Sequence, residues 1–393
     1  MALCVSTSGI AGVKRCLAGL GAVFMFFLSA CTIGGGAPIT YNPVSIPTLP
    51  GNASFDALDV NQQTHRLFVA DRTDSGVDVI DLTSTPATYT HTIALGASPN
   101  GLVYAPDLKR LFVGLADGSL AIIDDSEKVV TQVPAGGKTV DLIDYSPSTH
   151  EVFAGVTDKS VSRIDAVTGK VKNVIKLDAA SGIEQPRYNS ADHTLYVTSP
   201  GANAMFAVDP ESGTVKNQLD LGNCSPKGMA INPKLDQAIV VCRTWVQRIN
   251  LRDTNDQQPI SEVEGGDIVT YFAGADRFLV GTPDSIPSGV AVLGGNPIRF
   301  IASAKTRAHG NSAALDESRQ VVYTPDTRPG TVGLVSFDLP TQEPGLSIDG
   351  WVLAEMAGVL ALVALVVVFI GKGGDPINRP EPVPVRRRRR FSP

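Results

Sequence analysis

Cysteine is scarce in this chain and unevenly placed. Of five in 393 residues, Cys4, Cys16 and Cys31 lie in the first 31 positions and only Cys224 and Cys242 in the body. That excludes a disulfide-built scaffold, and there is no Cys-x-x-Cys-His motif to attach a haem. Histidine is equally thin at five, and His65, His150 and His193 recur at equivalent turns of a repeat, which argues against a zinc centre. Gly-x-Ser-x-Gly and the phosphate-loop pattern are both missing. Positive charge is lacking where a nucleic acid would need it. The net charge of −6 is the balance of a +2 leader, a +5 tail and a body of −13. Such a body repels phosphate backbones, so no nucleic acid is expected as partner.

What is abundant is glycine (38) and proline (27), punctuating short apolar runs. That composition fits many short strands joined by tight turns. Residues 195–233 hold one full unit of a repeat: a β-run, a Gly-containing turn, an alternating run ending at Asp209, a third run, then Pro226-x-Gly228 and a short run closed by Asn232-Pro233. An apolar triplet close to Leu-Phe/Tyr-Val marks each unit. It begins at Leu67, Leu111, Val152, Leu195, Ile239, Phe278 and Val321, seven copies spaced by 39 to 44 residues. Four short strands at that period predict an all-β, seven-bladed β-propeller, because one such sheet cannot bury both its faces alone. The run following each triplet often ends in aspartate: Asp81, Asp124, Asp165, Asp209, Asp338. Ser, Thr or Gly follows in most copies, so these side chains are expected to cap turns, not to form a catalytic row.

These units resemble the YVTN-type β-propeller repeats of exported bacterial proteins. The likeness is best at Tyr196-Val197-Thr198-Ser199 and in residues 164–177, and it covers about three quarters of the chain. Asn250 and Gly294-Gly295 depart from it by replacing the turn aspartate in the fifth and sixth units. The resemblance implies a seven-bladed ring and little about activity, since the fold hosts binding proteins, scaffolds, lactonases and redox domains alike.

The chain ends carry the location. Lys14-Arg15, an apolar run of 16–28, and Leu28-Ser29-Ala30-Cys31 read as a signal peptide over 1–30 with a lipobox, so that Cys31 would be lipidated. A Gly/Pro/Thr-rich tether, 31–43, leads to the propeller, 44–339. The seventh unit stops one strand short, and 44–49 is expected to supply that strand and close the ring. Residues 340–350 form a linker. Residues 351–371 are apolar enough for a transmembrane helix, and 372–393 a basic tail that the positive-inside rule places in the cytoplasm. The propeller would then lie on the extracytoplasmic side, periplasmic or cell-surface, of the cell membrane. Export would put Cys224 and Cys242 in an oxidising compartment. The register leaves them a short loop apart, so a disulfide is expected, with two buried free thiols as the alternative.

Loops entering the innermost strands of a propeller converge on the central channel. By repeat position they present Asn52, Asn100, Lys138, Glu184, Lys227, Asp267 and His309, a polar mouth for a polar or ionic ligand or a protein loop. With no compact catalytic constellation, the reading is a membrane-anchored, non-catalytic binding module for a protein or cell-envelope ligand, needing no cofactor. The alternative is a lactonase-like hydrolase in which Asn100, Glu184 and Asp267 hold a divalent cation. A third reading is a redox-cofactor propeller.

Overall fold

The computed structural model describes residues 38–46, 53–328 and 333–341. The chain divides into two units, Met1–Gly345 and Leu346–Pro393. The second, with the expected helix and basic tail, lies outside the described residues, as do the leader and Cys31. Among the described residues no helix is long and apolar enough to cross a membrane.

Seven antiparallel four-stranded sheets make up the first unit. In blade 1 the strands run, from inside to outside, Phe55–Asn61, Arg66–Asp71, Gly76–Asp81 and Thr88–Ala94. The same order recurs through blade 6. Second strands are almost wholly buried, as in Glu151–Val156, while outer strands such as Val171–Lys176 face water along most of their length. Apolar side chains on both faces of the second and third strands therefore pack against the neighbouring blades, which is why those runs read as continuous triplets.

One contact repeats between blades. The second-strand phenylalanine stacks on a tyrosine of the next inner strand: Phe68 on Tyr104, Phe112 on Tyr145 and Phe153 on Tyr188, with centroids 5.8, 5.9 and 5.4 Å apart. Offset aromatic pairs of this kind add directional packing to simple burial. Polar latches accompany them. Asp59 accepts the Tyr104 N–H (2.8 Å), Asp144 the Tyr188 N–H (2.7 Å), and Gln185 Oε1 the Met229 N–H (2.7 Å).

The ring closes as expected, with a shifted boundary. Blade 7 has Ala314–Asp316, Val321–Asp326 and Gly333–Asp338, and its outer strand is Asn42–Ser45, which pairs Asn42 with Ser336 and Ser45 with Gly333. The strand starts two residues before Val44. Val44 and Ile46 alternate inward, and Pro43 is tolerated because an outermost strand leaves one row of backbone donors without partners. The seam with blade 1 is sealed by Gln62, which donates to the Leu315 carbonyl and accepts the Glu317 N–H, and by His65, 3.0 Å from Asp316.

The turn aspartates cap their own loops. Asp81, Asp124, Asp165 and Asp209 accept backbone N–H groups two or three residues on. Their carboxyls are held below the usual range, Asp81 and Asp124 first by the Thr83 and Ser126 hydroxyls and Asp165 and Asp209 first by the backbone N–H groups of Thr168 and Ser212. Asn250 does the same for Arg252 (3.1 Å). His65, His150 and His193 all sit at positive φ, 51 to 54°, in corresponding turns of separate blades. Cys224 and Cys242 form a disulfide (S–S 2.01 Å) that ties the loop entering blade 5 to the end of its second strand.

Candidate functional site at the channel mouth

The inner strands do not begin smoothly. Their pairing with the second strands slips between Phe55 and Leu58, between Pro99 and Leu102, and between Val140 and Ile143. A bulge re-aims the side chain it carries. The bulge residues are Asp56, Asn100 and Asp141, and the pairings Pro186–Val197, Met229–Val240, Val269–Val280 and Ala314–Tyr323 put Glu184, Lys227, Asp267 and Asn311 at the corresponding places. Those seven residues form the ring at one mouth.

Four of the expected residues, Asn100, Glu184, Lys227 and Asp267, therefore hold ring positions. Two do not. Lys138 is exposed in the approach to blade 3, and the position belongs to Asp141. His309 stands two residues before Asn311, where its Nδ1 donates to the Pro283 carbonyl oxygen (3.2 Å) in a loop of blade 6. Both expected positions fall short of the ring, by three residues at Lys138 and two at His309, although the loops before Asp141 and Asn311 are as long as those before Lys227 and Asp267. Asn52 lies outside the described residues; the place expected of it is held by Asp56. Arg72 went unseen because it comes from the loop between second and third strands. Its only sequence signal is its position immediately after the buried Asp71.

Arg72 organises one side of the mouth. Its guanidinium pairs with Asp56, and its Nε donates to Asn100 Oδ1 (3.1 Å), while Asn100 Nδ2 donates to the Val140 carbonyl (2.7 Å). Asn311 Nδ2 also donates to Asp56 (2.9 Å). On the other side Lys227 Nζ lies 3.5 Å from both Asp267 and Asp284. The carboxylates of Asp141 and Glu184 have no hydrogen-bond or ion-pair partner among the described residues. Burial, reinforced by Asp141 and Asp267, pushes Glu184 up to about 7. Asp56 also rises to about 7, burial outweighing Arg72, and burial raises Asp141 and Asp267 as well. Four acids face two cations, so the mouth holds more negative charge than it compensates.

The three residues named for a divalent cation, Asn100, Glu184 and Asp267, all stand in the ring. Both ends of the Asn100 amide are engaged and Asp267 faces Lys227. Among the described residues no three Asp, Glu, His or Cys are placed to hold a metal ion.

The channel is not open throughout. Leu142 of blade 3 and Ile268 of blade 6 line both the mouth cavity, about 160 Å³, and a larger chamber beneath it. With Ala57 and Leu102 they belong to one packed cluster that spans the axis, each about 6–7% exposed. Gly101 and Gly228 permit this narrowing, since a Cβ at Gly101 would lie 2.7 Å from the Asp141 backbone carbonyl oxygen and one at Gly228 2.5 Å from that of Asp267.

No family model and no curated protein matches the sequence. In fold the chain is similar to 1770 chains of solved structures, too many for the likeness to select a function. One is a chain of the crystal structure of a mitotic checkpoint complex, 12% identical, with a TM-score of 0.63 over 78% of this chain and 93% of that one. At that identity the likeness shows the fold alone: the described chain is a seven-bladed β-propeller.

Proposed function

We propose that this protein is a non-catalytic binding module, held at a membrane on the extracytoplasmic side, whose channel mouth takes a cationic group from a protein or cell-envelope partner. The observation that carries the reading is the pair of unpartnered, half-buried carboxylates, Asp141 and Glu184, in a ring that already has excess negative charge. An ammonium or guanidinium group placed between them would hold both ionised in a partly dry site, where charge-assisted bonds are strongest. A rigid ring of this kind presents its loops without reorganising, as a recognition surface requires. The neighbour's occurrence in a protein complex is consistent with such a role. The basic pair, apolar run and lipobox at one end, and the apolar stretch and arginines at the other, support the placement.

Fluorescence titration of the full-length protein with labelled trilysine, triarginine and triglutamate tests the binding. The basic peptides should bind and the acidic one should not, with Asp141→Asn/Glu184→Gln weakening the basic peptides about tenfold, the loss of one or two charge-assisted bonds. Equal binding of all three, or an indifferent double variant, rules the site out. Palmitate labelling that persists in Cys31→Ala would remove the lipid anchor from the proposal.

A further inference from the structure

Beneath the partition, opening on the opposite face, is a chamber of about 500 Å³. That volume falls within the range of small-ligand pockets, about 300–1,000 Å³. Most of the wall is apolar or aromatic, including Ile231, Ile268, Phe272, Tyr188 and Tyr271. Charge enters it at Glu317 and, three residues further along the inner strands than the ring, at Asp59, Asp144 and Arg187.

The two carboxylates already have backbone partners. Asp59 accepts the N–H groups of Val60 and Tyr104 (2.8 Å each), and Asp144 that of Tyr188 (2.7 Å). Arg187 is less complete. Its Nη1 donates to the Ile143 carbonyl (2.9 Å) and the Pro186 carbonyl (3.3 Å), and lies 3.5 Å from Asp144 Oδ1. Nε and Nη2 have no partner among the described residues, and neither is sealed from open space. The side chain is only 16% exposed. Burial lowers its pKa by more than Asp144 and Asp59 restore, so desolvation is the larger influence on this guanidinium.

We propose that this chamber binds a small monocarboxylate with an apolar body, its carboxylate held by Nε and Nη2 of Arg187. A guanidinium edge offers two parallel donors at the spacing of two carboxylate oxygens, a match that a lysine cannot reproduce. The surrounding apolar and aromatic wall suits a hydrocarbon or aryl body. Asp59, Asp144 and Glu317 repel a doubly charged phosphate about twice as strongly as a monocarboxylate, against the same single guanidinium. The site shares no ligand-holding side chain with the ring and stands or falls independently of it.

Isothermal titration of the full-length protein with hexanoate, phenylacetate, 1-hexanol and inorganic phosphate tests the proposal. Both carboxylates should bind, hexanol at least about tenfold more weakly, and phosphate not measurably. Arg187→Lys keeps the charge and loses the fork, and should weaken hexanoate about tenfold. Ser190→Trp, on the exposed rim, should block entry with an unchanged melting temperature, which separates loss of binding from loss of fold. The proposal is overturned by equal affinity for hexanol and hexanoate, by a preference for phosphate, by no heat with any probe, or by a folded Arg187→Lys that binds as the parent does.

Discussion

Asp71 and Asp78 are both fully buried in blade 1, and each has one oxygen engaged. Asp71 Oδ1 accepts the N–H groups of Thr73 (2.8 Å) and Asp74 (3.1 Å), and Asp78 Oδ1 accepts the Thr92 hydroxyl (2.6 Å). Their Oδ2 atoms have no donor among the described residues. Burial pushes both acids up, Asp78 the more strongly because Asp71 lies beside it, and a protonated Asp78 can donate to Asp71. Asp56, Asp59 and Glu184 are raised too, to about 7, 6 and 7, chiefly by burial. The sign follows from proton linkage. A carboxyl whose folded pKa exceeds its unfolded value binds more protons when folded, so its stabilising share is present below about pH 4 and is lost as pH rises towards about 7. Between pH 5 and 8 the melting temperature should therefore fall. Asp78→Asn, neutral at every pH, should flatten that fall and raise stability at pH 8; an unaltered slope would show that Asp78 is ionised throughout. The ring was only partly legible at this scale. Glu184 and Asp267 followed from repeat spacing, but Asp141 required knowing that the bulge, two residues before the first regular pair, carries the inward side chain, and Asn311 stands three residues before its first pair, Ala314–Tyr323. No residue-type pattern announces such a slip.

Among the elements, the outer strand of blade 7 comes from the far end of the chain, so the ring holds only while that strand stays paired. Val44 and Ile46 are 2% and 0% exposed. Val44→Asp would bury an unpaired charge and expose the edge of Gly333–Asp338, costing about 3 kcal/mol and promoting edge-to-edge association. Denaturant melts with light scattering would show both effects, and a fully stable monomeric variant would mean that closure contributes little. The Cys224–Cys242 bridge, 18 residues apart, closes a loop for which chain entropy gives about 3 kcal/mol. Cys224→Ala/Cys242→Ala should lower stability by that order. Within the repeat, Phe112→Ala removes a fully buried ring together with its stack on Tyr145, for about 3–5 kcal/mol in the same melts. Strand order was readable because the apolar triplets and turn aspartates each follow from a local rule, burial on both faces and self-capping. The closing strand was readable from the missing fourth run. Its start at Asn42 was not, since Asn42-Pro43 looks like tether until it has a partner.

At the scale of the whole molecule, the ring of seven was legible from period alone, whereas the closed waist was not. Ala57, Leu102, Leu142 and Ile268 are ordinary core residues in sequence, and only the curvature of the ring makes them meet across the axis. Their meeting has a thermodynamic consequence. The two faces have separate cavities whose linings share only Leu142 and Ile268. Occupants of opposite faces then compete for neither volume nor donors, and their joint occupancy is the product of two single ones. A basic peptide titrated at saturating hexanoate should give the dissociation constant found without it, as expected of a disc that two visitors can hold at once.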